Sequence, residues 1–328
     1  MNVPAELFEK LLEGDRVALA RSITLVESKR PEDYLAKQEL IELCSGKKTS
    51  SVRIGISGLP GAGKSTFIEQ LGLYLVRSGL RVAVLAVDPS SDRTGGSILG
   101  DKTRMEVLAT EENAYIRPSP NSGILGGVAE MTREAIIVCE AAGYDVVLVE
   151  TVGVGQSEFG VHSMTDYFLV LTISGAGDVL QGIKRGIMEM TDAVVVNKAD
   201  GDRIDAARIA ASDIKSALHL SSGGSATPKI PVITLSSLSQ DGFDDVWKMI
   251  QEHVELAQTT GAFDVRRSSQ MNSWFENAVQ FLLRSRLEND EKLTELKDRL
   301  LEDIEKGRVH PIAGAHSYVD ALTGEDSD

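Results

Sequence analysis

Eight residues, Gly58-Leu59-Pro60-Gly61-Ala62-Gly63-Lys64-Ser65, limit what this chain can fold into more than anything else in it. They spell G-x-x-x-x-G-K-[ST] in full, with Thr66 directly after. The apolar run RIGIS (53–57) precedes them, and the helix-forming stretch TFIEQLGLYLVRSG follows. A loop of this kind works only between a strand and a helix. Its glycines let the backbone curl until successive N–H groups face phosphate oxygens, and the helix N-terminus adds a favourable dipole. Gly58, Pro60, Gly61, Ala62 and Gly63 are therefore expected to form a phosphate cradle. Lys64 would reach the β and γ phosphates, and the Ser65 hydroxyl would offer an oxygen to Mg²⁺.

The rest of the chain supplies a matching scaffold. After RIGIS come VAVLAV (82–87), VVLVE (146–150), YFLVLTI (167–173), AVVVNK (193–198) and PVITLS (231–236). These runs are apolar throughout, as expected of strands covered on both faces. Most of the segments between them are long enough for helices, which predicts βαβ units and a mostly parallel sheet. The fold class is α/β, a P-loop NTPase. Leucines at helical spacing before residue 50 predict an N-terminal helical extension (1–50), closed by the polar linker SGKKTSS (45–51). The nucleotide domain spans 51–265. A charged helical segment (266–328) follows, densest from Gln270 to Gly307, with a frayed tail, TGEDSD.

Charge decides what kind of partner is excluded. Lys and Arg number 34 against 49 Asp and Glu, a net charge of −15. Such a chain has no general attraction to nucleic acid or an anionic membrane, so neither is expected as a partner. A polyanion must be held by a local cradle. Two cysteines, Cys44 and Cys139, exclude a disulfide scaffold and Cys-rich zinc sites; both read as buried small hydrophobes. No apolar run approaches the roughly 18 residues that span a bilayer. The expectation is a cytoplasmic protein, although a chain stripped of an organelle-targeting segment reads the same.

Two strands end in acids. Asp88 closes VAVLAVD and Glu150 closes VVLVE, at the strand tips where open α/β sheets bind ligands. Both are candidate Mg²⁺ residues, and so is Asp101 in the glycine- and charge-rich stretch 92–104. The alternative for Asp88 and Asp101 is plain solvation. Glu150-Thr151-Val152-Gly153 resembles the D-x-x-G element that senses a γ phosphate, with Glu where Asp is usual. Gly153 would offer its N–H there. Val154 follows, so the glutamine that positions water in Ras-type enzymes is missing at that place, and the role of Gln156 is open. Lys64, Glu150 and Gly153 are the candidate catalytic residues.

Asn197-Lys198-Ala199-Asp200 closes the run AVVVNKAD and spells N-K-x-D. Asp200 can accept from the N1–H and exocyclic amine of guanine. Adenine offers no such pair of donors and would leave the carboxylate unpaired. Asn197 fixes the loop and Lys198 packs over the base. Ser236-Ser237-Leu238 follows the next strand and matches a loop whose backbone touches the guanine oxygen. The expected nucleotide is GTP, with GDP as product.

GLPGAGKST, VDPSS, GGSILGDKTRM, ETVGVGQSE, GDVLQGIKRGIMEM and NKAD, in this order, resemble the MeaB/ArgK-type proteins. These are the methylmalonyl-CoA mutase-associated GTPases that include the methylmalonic aciduria type A protein, in the metallochaperone-type branch of P-loop GTPases. The resemblance covers roughly residues 5–325. It implies a GTPase that chaperones a coenzyme B12-dependent acyl-CoA mutase, gating adenosylcobalamin delivery from an adenosyltransferase and protecting the mutase. It implies a homodimer with the C-terminal helices as the dimer arm, where Phe275, Val279, Leu282 and Leu283 would meet a second subunit. It places Lys64, Ser65, Asp88, Asp101 and Glu150 among nucleotide and Mg²⁺ residues. It also makes Gly175–Lys184, with Asp178, Gln181 and Lys184, a segment that responds to nucleotide and partner. Read from residues alone, that stretch is a glycine-rich loop, either mobile or an ordinary strand-to-helix connection.

Two other functions fit parts of the pattern. A nickel-type metallochaperone GTPase is a sibling, but the five histidines form no i, i+4 pair and no cluster with cysteine. An ATP-dependent kinase of a transport system shares the phosphate loop, but Asp200 speaks against it. Arg266-Arg267 and Lys47-Lys48 read as short solvated basic spots.

Overall fold

A computed structural model of the chain describes residues 3–87, 105–118, 125–151, 157–175, 185–221 and 230–323. Asp88, Asp101, Gly153, Gln156, Asp178, Gln181, Lys184 and the last five residues of the tail lie outside them. The chain forms two compact units, one through Gln270 and one from Met271.

The first unit opens with helices α1 (Val3–Leu12), α2 (Arg16–Val26) and α3 (Tyr34–Ser45). Asp15 caps α2, accepting from the N–H groups of Val17 and Ala18. Gly14 ends the first break with φ +82°. Strands and helices then alternate: β1 (Val52–Gly58), α4 (Lys64–Arg77), β2 (Val82–Val87), α5 (Glu106–Thr110), β3 (Ala114–Arg117), α6 (Leu125–Ala141), β4 (Val146–Thr151), α7 (Ser157–His162), β5 (Tyr167–Ile173), α8 (Arg185–Met190), β6 (Ala193–Asn197), α9 (Ile204–Ser221), β7 (Val232–Thr234) and α10 (Phe243–Thr260). The seven strands lie in the order β3-β2-β4-β1-β5-β6-β7, and every pairing is parallel. β1 sits between β4 and β5, so the loop that leaves it opens where chain direction across the sheet reverses, the place where such sheets bind ligands.

Side-chain alternation sends each strand's residues to two cores. Val147 and Val149 of β4 and Phe168 and Val170 of β5 pack with α6 and, notably, with Leu11, Leu19, Ile23 and Leu40 of the first three helices. Residues 3–45, set apart in the sequence as an extension, therefore share one core with the sheet. Cys44 and Cys139 are buried in it as expected. On the opposite face Ile54, Ile56, Leu148 and Leu169 meet Phe67 and Leu71 of α4 and Phe243, Val246 and Ile250 of α10. α9 covers Val194 and Val196 of β6.

Six strands stand where apolar runs predict them, with PVITLS shortened to Val232–Thr234. β3 has no counterpart in the sequence reading, because AYIR is four residues at a sheet edge between polar turns. A second departure is larger. Arg266 and Arg267 are not solvated. They lie in the first turns of α11 (Ala262–Asn289) and grip the base of the sheet. Arg267 bonds both oxygens of Asp166, at 2.9 and 2.7 Å, and donates to the carbonyl of Ser51. Glu140 lies 3.5 Å from the same guanidinium and is itself held bidentately by Arg53 at 2.7 Å. Arg266 pairs with Asp192, and Gln270 donates to the carbonyl of Thr165. Arg53, Asp166 and Asp192 stand at or just before the starts of β1, β5 and β6, at the end of the sheet away from the phosphate loop. Lys47 likewise reaches the carbonyl of Ala141, 2.8 Å away.

The second unit holds the rest of α11, α12 (Glu291–Glu305), capped by Asp290, and α13 (Pro311–Thr323). α13 falls within the helical segment expected over 266–328, past its most charged part.

Two stability predictions follow from this packing. Arg267→Ala leaves the Asp166 and Glu140 carboxylates buried without their shared cation and is expected to cost about 3–5 kcal/mol, read from the denaturant midpoint. Glu134 on α6 faces Lys37 of α3 at 2.7 Å. Burial raises its pKa from 4.5 to about 7, against the pull of Lys37 and with a smaller push from Glu130. The folded state thus holds the proton more tightly than the unfolded one. Ionisation costs nothing below about pH 4.5, its cost grows as pH rises, and it is complete above about pH 7. Glu134→Gln should match wild type near pH 4 and exceed it by up to about 3 kcal/mol at pH 8, read from denaturant midpoints.

Candidate functional site

The phosphate loop leaves β1 at Gly58 and enters α4 at Lys64. Its shape depends on glycine at two places for steric reasons. At Gly58, φ is +146° and a Cβ would stand 2.1 Å from the carbonyl oxygen of Leu171 on β5. At Gly63, φ is +88° and a Cβ would stand 2.8 Å from Nδ2 of Asn197. Gly61 also has positive φ, but in open space. Ala62 is buried under the loop and Pro60 is exposed at its tip. Thr66 continues α4 and is half-buried.

The Lys64 ammonium crosses the loop and donates to the carbonyl of Gly58 at 3.0 Å. Burial pushes its pKa down, while Glu150 and Glu158 pull it back up. Glu150 is the penultimate residue of β4, only 5% exposed, and its Oε1 accepts from the Ser65 hydroxyl at 3.4 Å. Sequence reasoning assigned nothing to Glu158, which is buried in the first turn of α7. An acid three residues past the ETVGVG run, at a helix start, was the signal. Thr151, also unassigned, donates to the Ser57 hydroxyl at 3.1 Å and ties the end of β4 to the end of β1.

The two base-side motifs meet the phosphate loop through Asn197. Its Nδ2 donates to the carbonyl of Ala62 at 2.8 Å. Its Oδ1 accepts from the backbone N–H of Ser237 at 3.1 Å and from the Ser237 hydroxyl at 2.9 Å. Lys198 takes a left-handed conformation, φ +59°, which turns the chain off β6. Asp200 accepts from the Ser236 hydroxyl at 2.6 Å, and that oxygen in turn accepts from the N–H groups of Leu238 and Ser239. The Leu238 side chain is exposed. Lys64, Ser65, Glu150, Asn197, Asp200, Ser236 and Ser237 thus share one end of the sheet. For Asp88, Asp101, Gly153, Asp178, Gln181 and Lys184 no placement is described.

A hydroxyl and a buried carboxylate 3.4 Å apart form a hard oxygen pair suited to Mg²⁺. The lysine beside them gives the site positive charge inside an acidic protein. The arrangement can hold a nucleotide's phosphates at Gly58–Ser65 and its base at Asp200.

The chain is similar to known proteins. A family model described as "Methylmalonyl Co-A mutase-associated GTPase MeaB" matches residues 19–292. The chain is 50% identical over 320 residues to a "Putative GTPase" of Caulobacter vibrioides, covering 96% of this chain and 97% of the relative. It is 48% identical over 284 residues to the mouse (Mus musculus) "Methylmalonic aciduria type A homolog, mitochondrial", covering 84% and 68%. A solved structure described as a LAO/AO transport system kinase superposes with a TM-score of 0.76 at 35% identity, covering 98% of this chain and 97% of the other.

Ser236→Ala removes one of the bonds that aim Asp200. It is expected to weaken GDP binding about fivefold, near 1 kcal/mol, with little effect on ADP, measured by titration calorimetry.

Proposed function

The chain belongs to the MeaB family of methylmalonyl Co-A mutase-associated GTPases, and we propose that it uses GTP binding and hydrolysis to chaperone a coenzyme B12-dependent acyl-CoA mutase, with methylmalonyl-CoA mutase as the client. It is a GTP-hydrolysing enzyme. The observation that carries the nucleotide reading is the shared end of the sheet, where the cradle and the Ser236–Asp200 pair are fixed to each other through Asn197. The mouse relative's name and the family's name support the client.

In this reading the backbone N–H groups of Gly61–Ser65 hold the β and γ phosphates, and Lys64 swings its ammonium from the Gly58 carbonyl to the γ phosphate. Ser65 and Glu150, with Asp88 and Asp101, hold Mg²⁺, which when bound neutralises charge growing on the phosphates. Asp200 accepts from guanine, Ser236 keeps it aimed, and Lys198 packs over the base. Water attacks the γ phosphorus in line as the bond to the β–γ bridging oxygen breaks, which releases GDP and inorganic phosphate, and Gly153 senses the γ phosphate. Asp178, Gln181 and Lys184 respond to nucleotide and client. Adenosylcobalamin passes from an adenosyltransferase to the mutase under this control. A homodimer through the C-terminal helices is part of the proposal. Phe275, Val279 and Leu282 recur on one face of α11 and are 39–70% exposed, as an unmet interface would be. Among the described residues no helix is long and apolar enough to cross a membrane.

The similarity to a protein described as a kinase keeps ATP in the test. Phosphate release is measured from GTP and ATP, with and without purified methylmalonyl-CoA mutase. Slow GTP-only turnover that rises with the mutase is expected, and Lys64→Ala should lower it at least a hundredfold, about 3 kcal/mol. Preferred use of ATP would overturn the base assignment. GTP turnover indifferent to the mutase would overturn the client.

A further inference from the structure

We infer that Glu69 is a positioning residue for the Mg²⁺ site: from the phosphate-loop helix it fixes the point where the chain that carries Asp101 rejoins the fold. The inference rests on the proposal above that Asp101 and Ser65 hold Mg²⁺. It starts from a helix without a cap of its own. α5 (Glu106–Thr110) opens at Met105, whose side chain makes no capping bond to the free N–H groups of the first turn. Glu69 supplies that bond from α4. Its Oε1 accepts from the backbone N–H of Val107 at 3.0 Å. The two residues are 38 apart in the sequence, so this cap is a tertiary contact and not a local one.

A second contact seats the same helix. Gly72 stands almost one turn further along α4, and a Cβ there would lie 2.5 Å from Cδ2 of Leu108. The bare backbone at Gly72 is the notch that Leu108 fills, and Leu108 is fully buried. Met105, also buried, shares one core with Phe67, Ile68 and Leu71 of α4. The places of these contacts on α4 say what they serve. Ser65, Glu69 and Gly72 follow one another at spacings of four and three residues, so they lie on one face of the helix. The Ser65 hydroxyl begins that stripe, 3.4 Å from the Glu150 carboxylate. Glu69 comes about 6 Å further along the axis, at 1.5 Å per residue. The Mg²⁺ hydroxyl and the return point of the chain therefore belong to one rigid element. Asp101 precedes Met105 by four residues, which keeps its Cα within about 14 Å of that point by chain length alone. A carboxylate on so short a tether loses less freedom on binding a metal than one on a long tether, and the cap keeps the tether short by holding the first turn of α5 closed.

The test uses the full chain and reads Mg²⁺ binding apart from turnover. Mg²⁺ is titrated against the release rate of a fluorescent GDP analogue. Glu69→Ala should raise the Mg²⁺ concentration that half-slows release about fivefold, the fold-change that one lost helix cap implies. Its affinity for GDP in the presence of a chelator should stay at the wild-type value. Glu69→Gln keeps an oxygen that can accept from Val107 and should restore most of the Mg²⁺ dependence. Hydrogen exchange without nucleotide should quicken at the Val107 amide in Glu69→Ala and not in Glu69→Gln. A Glu69→Ala chain with wild-type Mg²⁺ dependence would overturn the positioning role. Equal shifts in the two variants would overturn the cap as its cause. An Asp101→Asn chain with wild-type Mg²⁺ dependence would instead overturn the Asp101 assignment, and the positioning role with it.

Discussion

One buried amide holds the candidate site together. Asn197 donates to the phosphate loop at Ala62 and accepts from Ser237, so three loops from the ends of β1, β6 and β7 share a side chain with both polar ends satisfied. A group this buried is costly to leave unpaired, so each loop constrains the other two. Gly63 follows from this. Its missing side chain leaves room for the Asn197 amide, and no other residue fits there without moving it. The distance from the phosphate cradle to Asp200 is thereby set by the fold, before any nucleotide arrives.

Below that amide the sheet is a rigid support, held at its other end by ions. Arg53, Asp166 and Asp192 mark the starts of β1, β5 and β6, and Arg266 and Arg267 of α11 bind to all of them directly or through Glu140. The strands that carry the phosphate loop and the N-K-x-D loop at one end are pinned to the root of α11 at the other. Ion pairs this buried need every partner, since removal of one leaves a desolvated charge. They give little net stability over an apolar core but define where α11 begins.

Most of this was legible in the sequence for a physical reason. A phosphate loop demands a strand before and a helix after, and strands covered on both faces read as unbroken apolar runs. The N-K-x-D and S-S-L motifs sit at strand ends, and the structure puts them there. What escaped the reading depended on partners far along the chain. β3 is too short to show a period. Glu158 looks like any acid in a helix start. Arg266 and Arg267 look solvated in a charged segment because Asp166 and Glu140 lie about 100 residues or more away. The first three helices read as an extension because nothing in their own stripe says which core it enters.

The acidity of the chain is compatible with its cradle because field and site act over different distances. At physiological ionic strength exposed charges are screened beyond about 8 Å, so most of the −15 is not felt inside the loop. What is felt is local. Burial lowers the pKa of Lys64, and the Glu150 and Glu158 carboxylates oppose that fall. Desolvation penalises the charged amine, and an opposite charge nearby favours it. The carboxylates therefore act on the lysine in the opposite sense to burial, even though they repel a phosphate anion. A bound Mg²⁺ beside Glu150 would resolve the conflict by turning that repulsion into attraction. The departure from aspartate to glutamate fits this geometry. With one more methylene, the carboxylate reaches the Ser65 hydroxyl from within β4, one residue before the strand ends, while Thr151 is left to tie β4 to β1.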